Sequence, residues 1–120
     1  MKLTDLPNPD SLYAVSKVFG ETLGKYYSER HGLEFISLRI GWLIKEDDPT
    51  VMVGKPSEDY MRAMFLSHRD CIEAHKRALE VGTKFMLAYA VSNNDRRVFD
   101  LSETIETLGF EPQDNAEDWF

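Results

Sequence analysis

The sequence holds one cysteine, Cys71, in 120 residues. An internal disulfide is impossible, and a cysteine-based zinc site lacks ligands. A lone thiol fits a reducing compartment, so a cytoplasmic location is expected. Basic residues are also scarce: 14 Lys and Arg face 21 Asp and Glu, a formal net charge of −7. Nucleic-acid backbones need a basic face, so such partners are not expected. The opening residues Met1-Lys2-Leu3-Thr4-Asp5 carry no apolar run, so no secretory leader is expected. The longest apolar run, Phe85 to Val91, is far too short for a membrane span. Seven glycines are present, but never as Gly-x-Gly-x-x-Gly. There is no internal repeat.

Hydrophobic residues at 42% and charged residues at 29% are ordinary globular values. One domain with a modest core is expected. The charge is uneven. Residues 91–120 hold eight acids and two bases, which reads as a solvated acidic face.

A long helix is expected first. Asn8 can cap it, and Pro9 suits its first position. Leu12, Val15, Phe19, Leu23 and Tyr26 recur at helical spacing, and Gly32 is a stop. Phe35 to Ile44 reads as a strand buried on both faces. Lys45 to Pro56 is a loop, in which Asp47-Asp48 reads as solvated. Ser57 to Leu66 follows as a short helix. Ser67 caps the next one, with Asp70 as its reciprocal partner. Ile72, Ala74, Ala78 and Leu79 form that helix's inner face. Phe85 to Val91 is a second strand, and Leu101 to Leu108 a short helix closed by Gly109. Strands alternating with helices favour a parallel α/β sheet. Two strands are few, so the chain reads as part of a larger α/β unit or one that borrows a partner's sheet.

Tyr13 and Lys17 are four apart, on one face of the first helix. An ammonium beside a phenol favours the phenolate, which can take a proton from a substrate hydroxyl. Such chemistry suits oxidation of an alcohol, but the spacing alone is weak. His31, His68 and His75 have no metal-like spacing, so no metal site is expected. Cys71 reads as a small buried hydrophobe, and Tyr26, Tyr27, Phe85 and Tyr89 as core.

The stretch Pro9-Asp10-Ser11-Leu12-Tyr13-Ala14-Val15-Ser16-Lys17-Val18-Phe19-Gly20-Glu21 resembles the active-site helix of extended short-chain dehydrogenases/reductases. These form the NAD-dependent epimerase/dehydratase family. Leu38-Arg39-Ile40-Gly41 resembles the strand end after that helix, and Leu66-Ser67-His68-Arg69-Asp70 the start of the next. Residues 108–117 resemble the C-terminus of the branch of uronate dehydrogenases and archaeal sugar dehydrogenases.

The resemblance implies an incomplete Rossmann-like α/β unit, the C-terminal half of an NAD(P)-binding fold with few parallel strands flanked by helices. Residues 8–31 would be the active-site helix. Residues 33–91 would hold strands and substrate segment, and 92–120 the acidic C-terminal region. Tyr13 would be the general base, and Lys17 would hold the nicotinamide ribose of NAD or NADP. Ile40 and Gly41 would lie near the nicotinamide. Trp42, Tyr60, Arg62, Ser67 and His68 would line the sugar pocket. Arg62 is the candidate clamp for an anionic substrate, because a guanidinium grips a carboxylate bidentately. Tyr60 competes with it for the matching position, and Trp42 stands where uronate enzymes carry a small polar residue.

The implied activity is NAD(P)-dependent oxidation of a sugar hydroxyl, on a uronate, hexose or hexose phosphate. The missing glycine-rich turn implies inactivity of the chain alone. Two alternatives stand: a non-catalytic orphan or oligomerising module, and a sugar-nucleotide epimerase/dehydratase fragment. Expected partners are a homo-oligomer through residues 8–31, with Val18, Leu23 and Tyr26 in the contact, or a complementing N-terminal half.

Overall fold

The computed structural model describes residues 1–120. Helix α1 spans Leu12–His31, strand β1 Phe35–Ile40, helix α2 Glu58–Met64 and helix α3 His68–Glu80. Strand β2 spans Phe85–Ala90 and helix α4 Ser102–Leu108. The two strands pair in parallel, Phe35 opposite Phe85 through Ile40 opposite Ala90. No helix is long and apolar enough to cross a membrane.

Helix α1 starts later than Asn8 and Pro9 suggest. The Ser11 side chain caps it, accepting from the Ala14 amide, and Gly32 closes it at φ 68°. The helix runs antiparallel to β1. Glu21 reaches Arg39, Gly24 lies on Phe35, and the Ser28 hydroxyl donates to the Lys84 carbonyl. A Cβ on Gly24 would stand 2.3 Å from the Phe35 ring, so glycine is what lets the helix lie this close.

The periodic apolar stripe of α1 faces outward, which corrects the expectation that Tyr26 and Tyr27 are core. Leu12, Val15, Phe19, Leu23 and Tyr26 are exposed, as is much of Tyr27. The sheet is too narrow to cover them, and the helix contacts it through Glu21, Gly24 and Ser28 instead. A similar correction holds on α3. Ala74 is buried, but Ile72 and Leu79 are 68% and 88% exposed. Both helices thus carry more apolar surface than these residues cover.

Strand β1 ends at Ile40, short of the expected Ile44, and its residues are half-buried or exposed. The Phe35 amide donates to the Lys84 carbonyl and the Gly41 amide to the Ala90 carbonyl. Odd-numbered β1 residues therefore face β2, and Ile36, Leu38 and Ile40 direct their amides and carbonyls to an unpaired edge. Beside that edge, β1 and α3 enclose a groove of about 520 Å³, lined by Ile36, Leu38, His75, Ala78, Leu79 and Val81 with Glu34.

The core is divided into three small clusters. Ala74, Ala88, Ala90, Leu108 and Phe110 join the sheet to α3 and α4. Met61, Phe65 and Ala116 join α2 to the C-terminus, and Tyr89, Val91 and Leu101 form the third. Asp70 does not answer Ser67 as a capping-box partner. Ser67 Oγ accepts from the Asp70 amide, but the buried Asp70 carboxylate accepts from Ser92 Oγ and the amides of Gln113 and Asp114. It ties the C-terminal segment to the sheet. The Asp47-Asp48 pair is likewise engaged. Asp47 accepts from the His68 amide, and Asp48 caps the turn Pro49–Met52 within the expected loop. The acidic C-terminal region is only partly a solvated face, since Asp114 and Glu117 are paired with Arg69 and with Arg62 and Arg96.

Candidate active site

Tyr13, Lys17 and Glu21 recur every four residues and form one stripe on α1. Glu21 anchors it. Arg39 Nε and Nη2 donate to Glu21 Oε1 and Oε2 at 2.7 and 2.8 Å, and Ser37 Oγ donates at 3.1 Å. The pair is mostly shielded, with Arg39 and Glu21 side chains 23% and 16% exposed. These hydrogen bonds hold the Glu21 carboxyl below its ordinary range against the opposing cost of burial. Arg39 also lies over the ring of Tyr89, its register partner on β2.

A lowered folded-state pKa means that the unfolded chain binds more protons in the acid range. The stability from Glu21 is complete above about pH 4.5, the ordinary glutamate value, and is lost as pH falls through the folded value. Arg39→Gln is expected to cost roughly 2 kcal/mol at neutral pH, below the value for a fully buried pair. It should also flatten the acid limb of stability against pH. Denaturant unfolding at several pH values checks both, and an unchanged acid limb would contradict the assignment.

From Glu21 the stripe climbs toward the C-terminal end of β1. Eight helical residues advance about 12 Å, which is between three and four strand residues. Tyr13 therefore stands about level with Trp42, beyond the strand end. Lys17 Nζ sits 4.9 Å from the centre of the Tyr13 ring. Tyr13 is 72% exposed. Both line a cleft of about 620 Å³, walled by residues 5–9, Glu21, Arg39, Tyr89 and Phe99. The phenol and ammonium thus open together at the carboxyl end of a parallel sheet, where α/β folds bind ligands.

The other candidates lie around the strand end. Gly41 allows a close crossing: its amide donates to Ala90, and a Cβ there would stand 2.2 Å from the Met64 carbonyl oxygen. Ile40 is exposed beside it. Trp42 donates its amide to the Met64 carbonyl at 2.6 Å and accepts from the Leu66 amide. Its ring lies 5.6 Å from that of Tyr60, tilted by 52°.

Three expected sugar contacts are committed elsewhere. Ser67 is buried, and its hydroxyl donates to Asp114 while accepting from Asp70. His68 gives its amide to Asp47 and Nε2 to the Ile44 carbonyl, pinning the loop after β1. The Arg62 fork is taken by Glu58 at 2.7 Å and Glu117 at 2.7 Å, and its plane lies 3.6 Å from the Phe120 ring centre. Glu117 lies 55 residues away, so nothing local in the sequence signals this clamp. The Glu21–Arg39 pair was also missed, although the spacing of 13, 17 and 21 was visible. Cys71 is half-buried, which raises its thiol pKa, and His75 Nδ1 is bound to the Cys71 carbonyl.

Fold and site together define an α/β protein with a tyrosine–lysine pair at the carboxyl end of a partial Rossmann-like sheet. No protein-family model matches the chain. It is 43% identical over 118 residues to an L-arabinose 1-dehydrogenase (NAD(P)(+)) of Haloferax volcanii, which spans 95% of this chain and 46% of that protein. It is 37% identical to an NAD-dependent glucose-6-phosphate dehydrogenase of the same organism, over 94% of this chain and 41% of that protein. A glucuronic acid dehydrogenase from Chromohalobacter salexigens superposes with a TM-score of 0.83 at 30% identity, over 99% of this chain and 41% of that one. A mutant uronate dehydrogenase from Agrobacterium tumefaciens complexed with NAD gives 0.81 at 27% identity, over 98% of this chain and 41% of that one. The chain's homologues are thus arabinose, glucose-6-phosphate and uronate dehydrogenases, and the match is that of a C-terminal part of that branch. The chain spans less than half the length of the relatives it matches.

Proposed function

We propose that this chain supplies the substrate side of an NAD(P)-dependent sugar dehydrogenase, with Tyr13 as general base and Lys17 as its cationic neighbour. The observation that carries this reading is the stripe of Tyr13, Lys17 and Glu21, fixed by Arg39 and open to the cleft. Tyr13 Oη takes the proton of a sugar hydroxyl as the carbon beneath it gives up hydride. A bound nicotinamide would supply the hydride acceptor. Lys17 stands as the cation beside the Tyr13 ring and would offer donors to the nicotinamide ribose, and Ile40 and Gly41 would border the nicotinamide ring through their backbone.

The residues present fit one end of the dinucleotide. The ammonium and phenol suit nicotinamide ribose, and no glycine-rich turn for the pyrophosphate occurs in the 120 residues. The same reading assigns the open β1 edge and the groove beside α3 to a dinucleotide-binding half that extends the sheet. The exposed stripe Leu12, Val15, Phe19 and Leu23 is the candidate surface for a second copy. Residues 8–31, 33–91 and 92–120 then act as active-site helix, sheet with substrate segment, and acidic cover.

Titration with NADH and NADPH tests the cofactor assignment through nicotinamide fluorescence. Saturable binding that Lys17→Met weakens about tenfold or more is expected, from loss of a charged hydrogen-bond donor worth roughly 1.5–3 kcal/mol. Binding that is indifferent to Lys17→Met would contradict the role given to Lys17.

A further inference from the structure

We propose that Arg39 is a positioning residue for the tyrosine–lysine pair: by occupying the Glu21 carboxylate, it leaves the Lys17 ammonium free to stand at Tyr13. The inference rests on the dehydrogenase reading and adds to its site a residue outside the helix that carries Tyr13 and Lys17.

Lys17 lies between two rival partners on α1, Tyr13 four residues before it and Glu21 four residues after. A full negative charge attracts an ammonium more strongly than the face of a phenol does. A second lysine on the same helix shows what this spacing does when nothing intervenes. Lys25 Nζ meets Glu29 Oε1 at 3.9 Å, again at i and i+4. Lys17 behaves otherwise. Its Nζ stands 4.9 Å from the centre of the Tyr13 ring, and it forms no ion pair with Glu21.

The difference between the two pairs is Arg39. The Glu29 side chain is 63% exposed, with water on its open side. Glu21 is 16% exposed, and both its oxygens are taken. Oε1 accepts from Arg39 Nε and Ser37 Oγ, and Oε2 from Arg39 Nη2. The planar fork of a guanidinium engages a carboxylate in this way, and the strand holds the fork in place. Arg39 Nη1 also donates to Tyr89 Oη at 3.4 Å. Tyr13, Lys17, Glu21 and Arg39 line one cleft. The other carboxylate on its wall, Asp5, accepts from the Lys2 amide.

Without Arg39, Glu21 would be a shielded carboxylate with no cation of its own. Lys17, one turn away on the same stripe, would turn to it and leave Tyr13. Arg39 therefore does two separable things. Its bridge to Glu21 joins the helix to the strand, and its occupation of Glu21 directs Lys17. Replacing Arg39 and Glu21 together abolishes the bridge but also removes the rival of Tyr13. The two roles thus predict opposite results for the double variant.

The ε-methylene protons of Lys17 report the arrangement by NMR. An ammonium over the Tyr13 face brings them into the shielding region of the ring and moves them upfield, and Lys17→Met assigns the signal. Expected is loss of the upfield shift in Arg39→Gln and its return in Arg39→Gln/Glu21→Gln. Gly20→Glu should give the same loss with the bridge intact. It sets an unpaired carboxylate three residues from Lys17, where no atom lies within 4 Å of an added Cβ. Gly20→Gln should leave the signal in place. NADH affinity should follow the signal, about threefold or more weaker in Arg39→Gln and Gly20→Glu and recovered in the double variant. A Lys17 signal unmoved by Arg39→Gln or by Gly20→Glu would overturn the proposal. A double variant as displaced as Arg39→Gln would overturn it too, leaving Arg39 a structural bridge alone. Should Arg39→Gln fail to fold, Gly20→Glu and the double variant decide. Failure of the dehydrogenase reading has a separate signature: the Lys17 signal moves as expected, while NADH affinity is indifferent to Lys17→Met.

Discussion

In a chain completed by a dinucleotide-binding half, Tyr13→Phe is expected to lower sugar oxidation by about 10²–10⁴-fold, the usual worth of a positioned general base. Its effect on stability should be close to zero. The ring is 72% exposed, and the Lys17 ammonium lies over its face. Phenylalanine keeps that face and removes only the hydroxyl. The loss should therefore fall on kcat, with sugar affinity unchanged. Parallel measurements of turnover and thermal unfolding separate the two effects. A variant that turns over normally would remove Tyr13 from the chemistry. A variant that unfolds early would mean that the hydroxyl has a structural partner.

Gly41→Ala should cost about 3 kcal/mol, at the upper end for overpacking a well-filled site. The added Cβ would stand 2.2 Å from the Met64 carbonyl oxygen and 2.6 Å from Val91 Cγ1. The carbonyl cannot retreat easily, because it accepts from the Trp42 amide. The segment behind it is also held: the Leu66 amide donates to Trp42, and the Ser92 amide and Asn94 Nδ2 donate to Phe65. The clash therefore pushes β1, β2 and the α2–α3 connection apart where the candidate pocket lies. Gly20→Ala is the internal control. Nothing lies within 4 Å of a Cβ there, so an alanine should gain up to about 1 kcal/mol in a helix. Denaturant midpoints at constant slope measure both. A cost below about 1 kcal/mol for Gly41→Ala would mean that the crossing is looser than described.

Much of this architecture was legible in the residues. Gly32, Ser67 and Gly109 mark element ends by local chemistry, and they stand where caps and left-handed turns need them. The apolar runs at 35 and 85 give both strands. What misled was direction. Periodicity shows that Leu12, Val15, Phe19 and Leu23 share a face, but it does not say whether this chain or another body covers it. The same ambiguity placed Ile72 and Leu79 inside. Long-range polar pairing was equally hidden. Asp70 finds the amides of Gln113 and Asp114, and Arg62 finds Glu117, across more than 40 residues. The Tyr13–Lys17 pair was readable because helical spacing alone puts both groups on one face. The anchor at Arg39 required the strand.

The central claim is that Tyr13 and Lys17 on this chain perform base chemistry for a sugar dehydrogenase. The most direct measurement joins residues 1–120 to the N-terminal portion of the Haloferax volcanii L-arabinose dehydrogenase and follows nicotinamide reduction in the presence of neutral aldoses. The account predicts sugar-dependent reduction that disappears with Tyr13→Phe while NAD(P) binding persists. A folded, NAD(P)-binding hybrid that reduces no cofactor, or one that reduces it equally well with Tyr13→Phe, would contradict it.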